Sequence, residues 1–210
     1  MLSVSTALAR LRDGLSEPFP DSPGTRIIDI AFPLNDAFDP LLWCGQQPQW
    51  PQFYWQQRNG DEEMAALGAV KSFPSLDAAN RFLHQAGRQD LRICGLNAFA
   101  PQQGRLVLPR LEWRRCGGRA VMRLVLHSDL SLRDDAVTAR DFLASLTTAQ
   151  ATPCGVPPLL SERHSSDYPL WQAMIDLATQ AIAAGDMDKV VLARATDLQF
   201  AAPLDAVSIM

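Results

Sequence analysis

Two lysines stand apart in a chain whose other side-chain cations are arginine: Lys71 and Lys189, against 17 Arg in 210 residues. Lys189 opens the run 189–196 (KVVLARAT), whose β-branched content reads as a strand. On a period of two it shares a face with Val191, Ala193 and Ala195, and Val190, Leu192 and Arg194 take the other. Small neighbours leave room for a reactant beside the amine. Two readings stay open on spacing alone. One is a strand-start lysine whose head reaches water. The other is a general base. A free lysine titrates near pH 10.4, so only ~10⁻³ of it is neutral at pH 7. A base therefore needs burial or a neighbouring cation to bring that value down.

The remaining candidates point to structure. His84 falls on a helical pattern, His127 at a strand end and His164 in a polar stretch, none with Cys or His at ligand spacing. Cys44, Cys94, Cys116 and Cys154 lie far apart with no CxxC, which argues against zinc or a disulfide framework and fits a reducing cytoplasm. Trp43, Trp50, Phe53, Tyr54 and Trp55 suggest core and cross-strand pairing, because adjacent strand residues point to opposite faces. Asp29, between Ile28 and Ile30, reads as a salt-bridged or edge-strand carboxylate. GxGxxG, P-loop, GxSxG, HExxH and EF-hand patterns are absent. A formal net charge of −4 lacks the basic excess of a nucleic-acid surface. No uncharged stretch reads as a membrane helix, and Arg10 and Arg12 interrupt any signal-peptide core.

The elements that must position these residues follow from periodicity. Val4, Leu8, Leu11 and Leu15 mark an N-terminal helix that docks on its own domain, with Gly14 and Pro18 as stops. Residues 26–32 read as a strand. Residues 53–58 and 62–70 flank Asn59-Gly60, which predicts a hairpin with a type I′ turn, Arg58 facing Asp61 and Trp55 facing Met64. A helix over 75–87 has Ser75 as N-cap and Gly87 as C′ residue. Strands follow at 91–98, 105–113 and 119–127, then a helix at 134–146. The first 150 residues thus form an α+β domain on an antiparallel sheet. Residues 151–166, rich in Pro and then polar, read as a seam. A helix over 168–184 carries Leu170, Met174, Leu177, Ala178, Ala181 and Ile182 on one face, and 203–210 opens like a further helix with Pro203 at N1. Strand 189–196 has few partners after the seam, so the second domain is expected to continue past residue 210.

Residues 185–196 (GDMDKVVLARAT), preceded by WQAMIDLATQAIAAG, resemble the opening of the catalytic domain of the chorismate-binding enzymes. The strings RIIDIAFPLNDAFDPLLW, PQFYWQQRNGDEE and LPRLEWRRCGG are similar to the N-terminal half of the menaquinone-pathway isochorismate synthases. The resemblance implies an anthranilate synthase component I-like fold, incomplete at its C-terminus, with residues 167–210 starting the catalytic domain. It implies isomerisation of chorismate to isochorismate, with Lys189 as the base that activates water. It also implies Mg²⁺ as cofactor, its ligands and the acid expected beyond residue 210. Ammonia-using relatives carry Gln at the Lys189 place and an LLES-like motif. Here Leu159-Leu160-Ser161-Glu162 differs in order and lies in the seam. Siderophore-type isochorismate synthases and salicylate synthases are rivals that share the lysine. A non-catalytic α+β binding module is the alternative of another class. The fragment is expected to be inactive alone and to self-associate through exposed apolar surface.

Overall fold

Ser3 caps the first helix: its side chain accepts from the Thr6 amide, and α1 runs Val4–Gly14. The i, i+4, i+7 spacing places Val4, Leu8 and Leu11, with Ala7 and Leu15, in the core. The computed structural model describes residues 3–33, 38–86, 90–99, 104–116, 118–148 and 155–209. They divide into two compact units, Met1–Thr152 and Pro153–Met210.

The first unit is built on β1 (Gly24–Pro33), β2 (Gln52–Gln56), β3 (Glu62–Phe73), β4 (Cys94–Asn97), β5 (Gly104–Cys116) and β6 (Arg119–Ser128). All pairings are antiparallel, in the order β1-β6-β5-β3-β2, with β4 beside the start of β5. One face carries α1, α2 (Pro40–Gly45) and α4 (Leu132–Ser145) over Leu67, Leu111, Trp113, Met122 and Leu124. The other carries α3 (Leu76–Ala86), whose Ala79 and Phe82 pack with Phe73, Leu106, Leu108 and Val125. Arg12 donates to the Leu143 carbonyl at 2.7 Å and Arg140 to the Leu15 carbonyl, so each of α1 and α4 satisfies a carbonyl near the other's C-terminus.

The N-terminal helix docks on its own sheet as expected, and the predicted strands and helices of this unit appear with shifted ends. Residues 91–93 are not strand: β4 begins at Cys94. Ser75 accepts from the Ala78 amide at 3.2 Å, while Gly87 lies outside the described residues. Short α2 escaped sequence reading, although Asp39 as N-cap and Pro40 in the first turn announce it. Trp55 faces Met64 as predicted, but the turn is not type I′. Gly60 has φ +79° and Asn59 does not have positive φ. The Gly60 amide donates to the Gln57 carbonyl and the Gln57 amide to the Glu62 carbonyl, both at 2.8 Å. Asn59 instead spends its side chain on Asp61, donating to Oδ2 at 2.6 Å and accepting from the Asp61 amide at 3.3 Å. That local capture holds Asn59 out of the left-handed region and lengthens the loop.

The second unit consists of β7 (Leu159–His164), α5 (Tyr168–Ala183), β8 (Thr196–Phe200) and a 3-10 turn at Val207–Ile209. β7 and β8 pair antiparallel, His164 opposite Thr196 and Leu159 opposite Phe200. Two expectations are corrected here. The polar seam contains a strand, β7, which shows no apolar alternation because every one of its residues is exposed. The C-terminal helix is only the 3-10 turn, where Asp205 accepts from the Val207 and Ser208 amides. No helix among the described residues is long and apolar enough to cross a membrane.

Candidate active-site segment

Lys189 sits between two fixed points. Upstream, Asp167 caps α5 by accepting from the Leu170 amide at 2.9 Å. The helix closes with the Ala184 amide on Gln180, Gly185 on Ile182 and Asp186 on Ala181, at 2.9, 3.1 and 3.0 Å. Downstream, Ser165 and Ala195 exchange two bonds: the Ser165 amide donates to the Ala195 carbonyl at 2.9 Å, and the Ala195 amide to Ser165 Oγ at 3.0 Å. The strand predicted over 189–196 is not formed. Residues 189–195 carry no regular secondary structure, and β8 starts at Thr196. A β-rich run becomes a strand only when an edge accepts its backbone groups, and β7 offers its edge to 196–200 instead. Lys189 is exposed and Leu192 half-buried. α5 has no buried residue, and Leu170, Leu177 and Ile182 stand open.

The other residues singled out from the sequence fall elsewhere. Asp29 lies on edge strand β1, and Arg123 donates to it from Nε at 2.8 Å and Nη2 at 2.7 Å. Arg123 in turn neighbours Glu112 across the sheet. Burial raises the Glu112 carboxyl, opposed by Arg92, Arg114 and Arg123. Trp43 is fully buried, while Trp50 is exposed. Cys44 and Cys94 are buried free thiols, pushed up by burial to about 11 and about 12. His84 is exposed on α3, and His164 bonds Thr196 Oγ1 at 2.9 Å. Cys154 lies outside the described residues. Among the described residues no three His, Cys, Asp or Glu side chains gather to hold a metal ion. No chemical step here is routed through Mg²⁺.

Sequence reasoning missed one cluster. Lys71, His127 and Asp129 meet at a cleft of about 500 Å³ beside α3. The contacts span 56 and 58 positions and one partner is a loop aspartate, so no local pattern announces them.

The profile of the family described as "Chorismate binding enzyme" matches residues 96–210, more than half of the chain and including Lys189. The chain belongs to the chorismate-binding enzyme family. Isochorismate synthase MenF of Escherichia coli is 54% identical over 211 residues, covering 100% of this chain and 49% of the relative. Isochorismate synthase MenF of Haemophilus influenzae is 28% identical over 171 residues, covering 81% of this chain and 38% of the relative. The solved structure of MenF, the menaquinone-specific isochorismate synthase from Escherichia coli, superposes with a TM-score of 0.89 at 54% identity, covering 99% of this chain and 49% of that one. The chain thus has the α+β fold of that chorismate-binding enzyme over the part it shares, and spans about half the length of the Escherichia coli relative.

Proposed function

We propose that this chain serves the isomerisation of chorismate to isochorismate for menaquinone synthesis, and that Lys189 is its general base. The observation that carries the reading is 54% identity to an isochorismate synthase across the whole of this chain. Lys189 lies in the family match, held between the end of α5 and the Ser165–Ala195 bonds. On this reading the Lys189 amine takes a proton from water as its oxygen bonds to C2. The ring double bonds shift, and the C4 hydroxyl leaves with a proton from an acid, so water enters and water departs. Residues 1–150 form the supporting domain, 151–166 the connection and 167–210 the start of the catalytic domain. A Mg²⁺ requirement, action in the cytoplasm and self-association of residues 1–210 through α5 belong to the same proposal.

The test joins residues 1–210 in frame to the second half of the Escherichia coli relative and measures isochorismate formed from chorismate. The chimera is expected to turn over. Lys189→Ala is expected to lower kcat by about 10²–10⁴-fold, the usual worth of a general base. Lys189→Gln, which imitates the ammonia-using relatives, is expected to lose water addition as well. A Lys189→Ala chimera with near-normal turnover overturns the role of Lys189. A folded chimera that binds chorismate and forms no isochorismate overturns the reaction.

A further inference from the structure

β3, β6 and the loop after β6 bring three titratable groups to one point in the first unit. The Lys71 ammonium has three N–H bonds and meets three acceptors: Asp129 Oδ1 at 2.8 Å, Asp129 Oδ2 at 2.6 Å and His127 Nε2 at 3.2 Å. An ammonium only donates, so Nε2 must present a lone pair and the imidazole is neutral in this arrangement. Its proton then sits on Nδ1, which donates to Thr25 Oγ1 at 2.9 Å. Phe82 of α3 fixes the group from below, edge-to-face with the imidazole at 5.0 Å and 5.6 Å from the ammonium. The cleft in front is also lined by Arg81, Ser72 and Ser128.

A proton added to Nε2 turns its contact with Lys71 repulsive, because two N–H groups then face each other across 3.2 Å. An acceptor is already in place: Asp129 Oδ1 lies 3.3 Å from Nε2, on a side chain 74% exposed. The other nearby carboxylate, Asp135 of α4, is committed. It takes two bonds from Arg110 of β5 at 2.6 Å each and one from the His127 backbone amide at 2.9 Å. We propose that His127 is a proton-operated gate on an oxyanion site: with the ring neutral, Asp129 and His127 occupy Lys71, and with the ring protonated, Asp129 turns to the imidazolium and Lys71 joins Arg81 in the cleft. The cleft side chains then carry Lys71, Arg81 and His127 against a single Asp129, so protonation raises the local charge by one. Burial and Lys71 hold His127 below the ordinary histidine range, against the pull of Asp129 and Asp135, so the gate opens on the acid side.

Sulfate is the probe, because it stays doubly charged throughout the range used. Titration calorimetry of residues 1–210 at constant ionic strength is expected to show sulfate binding at least tenfold tighter at pH 5.0 than at pH 7.5. Lys71→Met is expected to abolish that gain, and His127→Asn to make binding weak and equal at both pH values. A measurement on the unaltered chain guards against variants that fail to fold. In NMR titrations, saturating sulfate is expected to raise the His127 midpoint by at least about one pH unit, the shift that linkage to a tenfold gain requires, and leave exposed His84 and His164 unmoved. Equal sulfate affinity at the two pH values overturns the gate, as does a pH-dependent gain that survives in folded Lys71→Met. An unchanged His127 midpoint overturns it equally.

Discussion

Removing the Asp135 carboxylate is expected to be among the most damaging single changes in the first unit. Asp135 lies in the first turn of α4 and its side chain is 12% exposed; its partner Arg110 is 6% exposed. The pair is bidentate, with both N–O distances 2.6 Å, and Asp135 also accepts the backbone amide of His127. Asp135→Ala leaves a buried guanidinium with only the Val125 carbonyl, which it holds at 3.0 Å. Breaking a buried pair from one side costs about 3–5 kcal/mol, and a stranded amide about 1–3 kcal/mol. Because both losses come from one carboxylate they do not add in full, and about 4 kcal/mol is expected. For a unit of this size each kcal/mol moves Tm by about 2–4 °C, so the melting point should fall by roughly 8–16 °C. Arg110→Met should cost less, since Asp135 then keeps the His127 amide and the favourable N-terminal end of α4. The double variant should be no worse than Asp135→Ala, because the stranded charge is gone. Thermal melting by circular dichroism reads all three. A drop below about 3 °C for Asp135→Ala refutes the reasoning, and so would strict additivity in the double variant.

Gly68 has φ +65°, and a Cβ there would stand 2.7 Å from Phe142 Cε2, whereas Gly60 at φ +79° has nothing within 4 Å. Gly68→Ala is therefore expected to cost about 2–4 kcal/mol, combining backbone strain with overpacking. Gly60→Ala should cost only the backbone share, and equal denaturation midpoints for the two variants would refute this difference. His127 is held below its unfolded value, so the folded state binds fewer protons near pH 6. Its contribution is thus fully present above about pH 6.5 and lost as pH falls through the folded value. Acidification from pH 7.5 to 5.5 should lower stability in denaturant titrations, and His127→Asn should lessen that loss. Glu112, raised by burial, works with the opposite sign in both proteins and cancels in the comparison. Residues 1–210 alone should bind a hydrophobic dye, sediment with a concentration-dependent mass and leave chorismate unchanged, since Leu170 and Leu177 of α5 are 51% and 70% exposed. A dye-silent monomer, or measurable turnover, would refute this.

What can be read from this chain depends on whether a residue's partner leaves a trace in its own neighbourhood. The three longer helices of the first unit, α1, α3 and α4, are legible because each buries one stripe, as with Leu8 and Leu11 of α1 and Ala139 and Leu143 of α4. The hairpin register is legible too, because Asn59-Gly60 sets Trp55 opposite Met64 even though the turn differs from the type predicted. The second unit reverses the relation between pattern and pairing. Residues 189–195 have the composition of a strand but no ladder, and β7 has a ladder but no apolar alternation, since LLSERH is exposed on both faces. Composition reports which faces a segment would bury. It does not report which edge will accept its amides, and that edge decides whether a strand exists. Lys189 was therefore legible only through the whole string around it, with its strand setting misread. Lys71 was visible as a rare residue, but its meaning lay in His127 and Asp129, more than fifty positions away. A lone lysine becomes interpretable when the acceptors of its three protons are known, and here those acceptors are what make its release conditional on a fourth proton.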